Sequence, residues 1–261
     1  WALRGGGGGN FGVTTSLTFA TFPTAEYDVV NLNFPPQSFA QVLVGWQNWL
    51  RTADQNSWAL ADSTTDAMGT HCRIMATSPA GSGNSVVSAI ISAVGSQPTG
   101  TDNHTFNYLD LVRYLAVGNL NPSPLGYVGG SDVFPTITPA AAQGIASAVD
   151  AFPRGAGRML AIMHALDGAL ASVAPGATAF PWRRQSAMVQ WYVETSGSPS
   201  AATSWLNTAH QAVQPYSVGG YVNYIEVNQS PSRYFGPNLS RLSAVGQKYD
   251  PGRVMFSGLN F

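Results

Sequence analysis

Two β-type runs, residues 58–65 and 68–78, follow one another with only Asp66 and Ala67 between them. A gap that short permits a hairpin and forbids the crossover of about a dozen residues or more that a parallel neighbour needs. Further runs with strand patterning lie at 13–22, 27–34, 158–166, 186–195 and 219–227, and the clearest is 186–195, SAMVQWYVET. Helical spacing fills much of the rest. In 38–52 the residues Phe39, Val42, Leu43, Trp46, Trp49 and Leu50 repeat at helical period behind Ser38 and Gln41, which read as a capping box. Short helices are expected at 86–94 and 108–116. Thr138-Pro139 and Ser198-Pro199 open helices to about Asp150 and Val213, and a last helix, 234–249, closes at Asp250-Pro251. The Gly/Pro/Asn/Ser-rich stretch 96–136 carries too many aromatics for a linker. Adjacent strand pairs without strict βαβ alternation predict an α+β fold, with a largely antiparallel sheet of about seven strands and helices on one face. The other face then needs solvent or another domain to cover it.

Composition narrows the function classes. With 12 basic against 13 acidic side chains, and Arg183-Arg184 the one basic pair, there is little to grip a polyanion. The single Cys72 excludes an intrachain disulfide framework, and no run approaches the roughly 20 apolar residues of a membrane-spanning helix. His104, His164 and His210 lack partners at metal-ligand spacing and read as structural or surface side chains. Trp1 is not an initiator residue, so the chain reads as a piece of a longer one. Localisation stays open, export being only a guess from the low charge content.

Gly7-Gly8-Gly9-Asn10-Phe11-Gly12 fits G-x-G-x-x-G formally, but the β-patterned run 13–22 follows where a dinucleotide fingerprint requires a helix. The glycines leave two readings open, backbone passing close to a ligand or a flexible linker.

Several segments, in order, resemble the berberine bridge enzyme-like FAD-linked oxidases of the vanillyl-alcohol oxidase superfamily. WALRGGGGGNFGV is similar to the junction where that family's FAD-binding domain ends. Ala179-Phe180-Pro181-Trp182-Arg183 resembles its F-P-H-R segment, with Trp182 in place of the usual His. Tyr221-Val222-Asn223-Tyr224, Tyr234-Phe235-Gly236-Pro237-Asn238-Leu239-Ser240-Arg241-Leu242 and Lys248-Tyr249-Asp250-Pro251 are similar to its C-terminal pattern. The resemblance implies that residues 1–23 end the FAD-binding domain, 24–215 form the substrate-binding domain and 216–261 return to the FAD domain. The rest of that domain, with its flavin-attachment positions, would lie N-terminal to Trp1 and be missing. The sheet's uncovered face would then roof the flavin, and in isolation could self-associate. His71-Cys72 sits in neither attachment context, and neighbouring strand residues point to opposite faces.

Residue by residue, the resemblance makes Tyr224 the catalytic base, provided its phenolate is stabilised nearby, with Arg183 a candidate stabiliser. Asn223 would touch the flavin and Gln190 would face it. Gly9, Asn10, Gly12 and Val13 would line the cofactor, and Trp182, Arg183 and Tyr221 the substrate. An ideal strand would turn Asn223 and Tyr224 apart, so both roles require the backbone to leave extended geometry there. The implied activity is oxidation of an alcohol, amine or carbohydrate hydroxyl by hydride transfer to flavin N5, and residues 1–261 alone are expected to be inactive. The alternative is a stand-alone secreted module binding a carbohydrate or other small molecule on its Trp and Tyr side chains.

Overall fold

The computed structural model describes residues 1–116, 126–195, 198–227, 229–255 and 258–259. Its frame is one seven-stranded sheet: β1 (Glu26–Phe34), β2 (Trp58–Asp66), β3 (Gly69–Pro79), β4 (Gly100–Asn107), β5 (Tyr127–Phe134), β6 (Arg158–Ala165) and β7 (Ala187–Glu194). The order is β4-β1-β3-β2-β6-β7-β5, and every neighbouring pair is antiparallel. The α+β architecture expected from the strand adjacency is the one observed. Trp58↔Thr77 through Asp66↔Gly69 is the 58–78 hairpin.

Four helices cover one face: α1 (Phe39–Leu50), α2 (Gly83–Val94), α4 (Pro139–Asp150) and α6 (Ser200–Val213). The smaller helices are α3 (Tyr108–Leu115), α5 (Gly168–Ser172), α7 (Pro231–Phe235) and α8 (Leu239–Tyr249). Alternation sends Val30, Leu32 and Phe34 of β1 and Ala187, Val189, Trp191 and Val193 of β7 into the helix-side core, with Trp46 and Trp205. The opposite face is mixed: Leu60, Leu160 and Ile162 share it with Gln190, Tyr192 and an Arg73–Asp62 ion pair of 2.8 Å. Asp28 turns toward the helices and accepts from the Gly81 and Gly83 amides and the Thr105 hydroxyl, anchoring the start of α2.

Six local expectations are corrected. Residues 13–22 form no strand: the alternation is real, but Val13 is 81% and Phe19 74% exposed and no described strand pairs with them. Two strands come instead from the 96–136 stretch, β4, a polar edge, and β5, interrupted by Gly129-Gly130. There is no capping box at Ser38, whose hydroxyl donates to the Pro35 carbonyl while Gln41 donates to that of Val94. Thr138 does cap α4, accepting from the Ala141 amide at 3.1 Å, but α6 starts without a side-chain cap. Residues 219–227 form no strand: they pair with the sheet backbone at a single Val133↔Gly219 bridge and coil into a 3₁₀ turn, Val222–Tyr224. The expected helix 234–249 breaks at Gly236 (φ 44°), where a Cβ would stand 3.1 Å from the Trp182 ring.

Candidate functional site

Where the N-terminal glycine loop meets the C-terminal segment, a small second core forms from Ala2, Ala179, Val222, Tyr234, Phe235, Leu242 and Leu259. Glycine is structurally required in this loop. Gly5 has φ 101°, and a Cβ there would lie 2.5 Å from the Phe180 amide nitrogen; at Gly7 it would meet Val222 Cγ2 at 2.9 Å. Asn10 is buried and its amide donates to the Gly6 carbonyl at 2.7 Å, closing the loop on itself. By contrast nothing lies within 4 Å of a Cβ at Gly8 or Gly12. Part of the run is thus locked by packing, and part leaves bare backbone on an open surface.

That surface is one wall of a cleft of about 750 Å³. Gly9 and Gly12 lie on it together with Gly7 and Gly8; Tyr221, Asn223 and Tyr224 come from the C-terminal segment, Phe180 and Arg183 from the loop before β7, and His164 and Met188 from β6 and β7. The 3₁₀ turn gathers the three polar side chains, because its coil, closed by the Tyr224 amide donating to the Tyr221 carbonyl at 2.9 Å, brings Asn223 and Tyr224 to the same side. Asn223 donates to the Tyr221 hydroxyl at 2.7 Å. Tyr221 stands edge-on to both Phe180 and Tyr224, with ring centroids 6.0 and 5.3 Å apart. Four of the sequence-expected residues lie elsewhere. Val13 projects into solvent, and Asn10 and Trp182 are buried away from the cleft; the Trp182 indole donates to the Gly220 carbonyl at 2.8 Å. Gln190 stands behind the cleft, with Oε1 3.4 Å from His164 Nε2.

The electrostatics separate the titratable groups. Burial pushes the Tyr224 phenol above its ordinary value, and the neighbouring Tyr221 adds to this. Arg183 is otherwise occupied: it donates to the Leu170 carbonyl and the Thr178 hydroxyl, and its guanidinium carbon stands 5.5 Å from the Phe180 ring centroid. The described residues therefore hold Tyr224 protonated at neutral pH. Burial pushes His164 the other way, below the usual imidazole value, against the hydrogen bond its Nε2–H gives to Gln190 Oε1, so it stands neutral and able to accept a proton at its other ring nitrogen. In the sequence His164 reads as a structural or surface side chain for want of a metal-ligand partner, whereas in the fold its neighbours are the cleft and Gln190. No acidic side chain lines the cleft among the described residues.

These features fit part of a flavin. Bare backbone at Gly8 and Gly12 and edge-set aromatic rings suit a flat, hydrogen-bonding group. Comparison with known proteins points the same way. The family described as Berberine and berberine like matches residues 220–256. Two Bacillus subtilis proteins, the uncharacterized FAD-linked oxidoreductases YgaK and YvdP, are each 26% identical to this chain over 97% of its length, covering 56% and 58% of their own. Chitooligosaccharide oxidase superposes with a TM-score of 0.80 at 20% identity, over 97% of this chain and 59% of its own. Berberine bridge enzyme from Eschscholzia californica superposes with a TM-score of 0.80 at 17% identity, over 99% of this chain and 59% of its own. Residues 220–256 thus match the berberine and berberine-like family, and nearly the whole chain is similar to FAD-linked oxidoreductases, while spanning a little over half the length of the curated relatives it matches.

Proposed function

We propose that this chain is the substrate-facing part of an FAD-dependent oxidoreductase, and that the cleft between the glycine loop and the Tyr221–Tyr224 turn is where the substrate meets the flavin. The observation that carries this is the convergence on one cleft of bare glycine backbone, Tyr221, Asn223 and Tyr224, Arg183 and a neutral His164. When bound, FAD would supply the acceptor for the hydride leaving an alcohol, amine or carbohydrate C–H. Gly8, Gly9 and Gly12 would back it, and Asn223 and Arg183 would hydrogen-bond it or the substrate.

The chain's own residues do the rest. Oxidising a hydroxyl carbon requires the O–H proton to go to a base as the C–H electrons leave. Tyr224 fills that role only where bound charge lowers its phenol; otherwise it donates a hydrogen bond to the substrate oxygen. A second reading, favoured by the opposite pKa shifts of the two groups, makes His164 the base, with Gln190 fixing its ring. Tyr221 and Phe180 wall the substrate's apolar side and exclude water.

The rest of the FAD site would lie on a further domain, against the face of the sheet away from the helices, and residues 1–261 alone would be inactive. The exposed alternating run 13–22, with Val13, Leu17 and Phe19 bare, would complete that domain. The test is the pH dependence of kcat/KM for the whole protein beside its Tyr224→Phe and His164→Asn variants. A His164 base gives a rate that rises with pH through a pKa below 6.5 and is level at neutral pH, a limb the His164→Asn variant loses. A Tyr224 base gives a rate still rising at or above neutral pH and lost in Tyr224→Phe. Variants within threefold of wild type across the range would remove the cleft from the chemistry.

A further inference from the structure

On the helix side of the sheet, outside the cleft, four charged side chains from four parts of the chain meet. His210 of α6 stands with Nδ1 2.7 Å from Asp132 Oδ2 on β5 and Nε2 2.6 Å from Glu226 Oε2 in the C-terminal segment. Arg233 of α7 donates to Asp132 Oδ1 at 2.9 Å and to the Ser131 carbonyl at 2.6 Å, with Nε 3.7 Å from Glu226 Oε1. The Trp191 indole and the Ser217 hydroxyl also donate to Asp132. Both ring nitrogens of His210 face carboxylates, which accept and cannot donate, so both must carry protons. The cluster is then two cations against two anions, nearly out of water. Asp132 and Glu226 retain only 2% and 7% of their side-chain exposure.

The same residues grip the Tyr221–Tyr224 turn from both ends. Ahead of it, the Gly220 amide donates to the Arg233 carbonyl at 2.8 Å and the Tyr221 amide to the Ser131 hydroxyl at 2.8 Å. Behind it, the Glu226 amide donates to the Tyr234 hydroxyl at 2.9 Å, while the Glu226 carboxylate is seated over Gly130, where a Cβ would stand 2.5 Å from its Cδ. We propose that the Asp132–His210–Glu226–Arg233 cluster is a clamp that sets the position of Tyr221, Asn223 and Tyr224 in the cleft, with His210 as a positioning residue that touches neither substrate nor cofactor. The catalytic consequence rests on the function proposed above, but the clamp does not.

Removing the His210 charge leaves buried carboxylates facing too little positive charge, removing that of Glu226 leaves the two cations facing too little negative charge, and in either case the segment least held by apolar packing should yield first. The groups that face His210 are Asp132, Glu226 and Arg233; burial works to lower its pKa, but the two carboxylates outweigh that and bring it up to about 9, so raising the pH above that value is a second way to open the clamp.

The test is amide hydrogen exchange of the whole protein, with and without the His210→Gln substitution, and with Glu226→Gln should the first variant fail to fold. The wild type at pH 10, corrected for intrinsic exchange, needs no variant. The expected result is exchange about tenfold or more faster at residues 220–226, with β6 and β7 unchanged. Unchanged protection at 220–226, or an equal rise through β6 and β7, overturns the clamp, because the cluster would then be idle or merely part of global stability. This readout involves no flavin and no turnover, so it stands or falls apart from the oxidoreductase reading. If the clamp and that reading both hold, His210→Gln lowers kcat by a larger factor than it changes stability-corrected binding.

Discussion

Raising the pH from 7 to 9.5 should cost this protein about 2 kcal/mol through His210 alone. An imidazole of ordinary pKa 6.5 is brought to about 9 in the folded protein: burial works to lower it, and the hydrogen bonds and charges of Asp132 and Glu226 outweigh that. A folded-state pKa above the unfolded one means that the stabilisation is complete below 6.5 and is lost as the pH rises through 9. At pH 7 the folded state is almost fully protonated and the unfolded state mostly is not, which is worth about 2.5 kcal/mol; at pH 9.5 only a few tenths remain. Phenols, Tyr234 among them, only begin to ionise at the top of this window, but the buried Cys72 thiol also loses stabilisation within it, so the His210→Gln variant supplies the baseline against which the His210 share is read. With a urea slope of about 3 kcal/mol/M, the midpoint should fall by roughly 0.7 M. The assay is a pair of urea titrations at the two pH values, repeated on His210→Gln, whose midpoint should start lower and change far less. A wild-type midpoint that does not move, or a variant that shifts as much as wild type, would refute the charge account of the cluster.

Three further outcomes are expected together. Gly5→Ala should lower stability by more than 1 kcal/mol, since its φ is 101° and the new methyl would meet the Phe180 backbone, whereas Gly8→Ala should melt like wild type. Cys72, buried between β1 and β2 with its thiol pushed up by burial and by Asp62, should resist thiol reagents in the native protein and react fully in denaturant, read by absorbance of the released thiolate. Asn223→Ala should leave the fold intact and, through loss of the bond to the Tyr221 hydroxyl, raise KM or weaken flavin retention, read by kinetics and by flavin fluorescence in the filtrate.

Hydrophobic period made most of the sheet and helices legible in the sequence. It worked wherever one face of an element was apolar, as in β1, β3, β7 and α1. It failed where pairing alone makes the strand. β4 is Gly-Thr-Asp-Asn-His-Thr-Phe-Asn, an edge with no buried side chain, and β5 is interrupted by Gly129-Gly130, of which Gly130 leaves the space that Glu226 fills. It over-reached at 13–22, where the pattern is present and no described strand answers it. The C-terminal motifs placed Tyr221, Asn223 and Tyr224 on one stretch, and the 3₁₀ turn removes the difficulty of bringing Asn223 and Tyr224 to one side. The clamp was beyond reading. Asp132, His210, Glu226 and Arg233 come together only through the fold, with 78 positions separating Asp132 from His210. His164 and Gln190 likewise meet across paired strands, 26 residues apart.

The central claim is that the glycine loop and the Tyr221–Tyr224 turn together face a flavin. It is tested most directly by the visible absorption spectrum of the purified whole protein beside its Gly8→Trp variant, each after saturation with FAD and removal of the excess. Gly8 has open space where a side chain would stand, so the variant should fold normally by circular dichroism. The account predicts flavin bands in the wild type and their loss or marked weakening in the variant. A wild-type protein that stays colourless, or a variant that holds flavin as tightly as wild type, would contradict it.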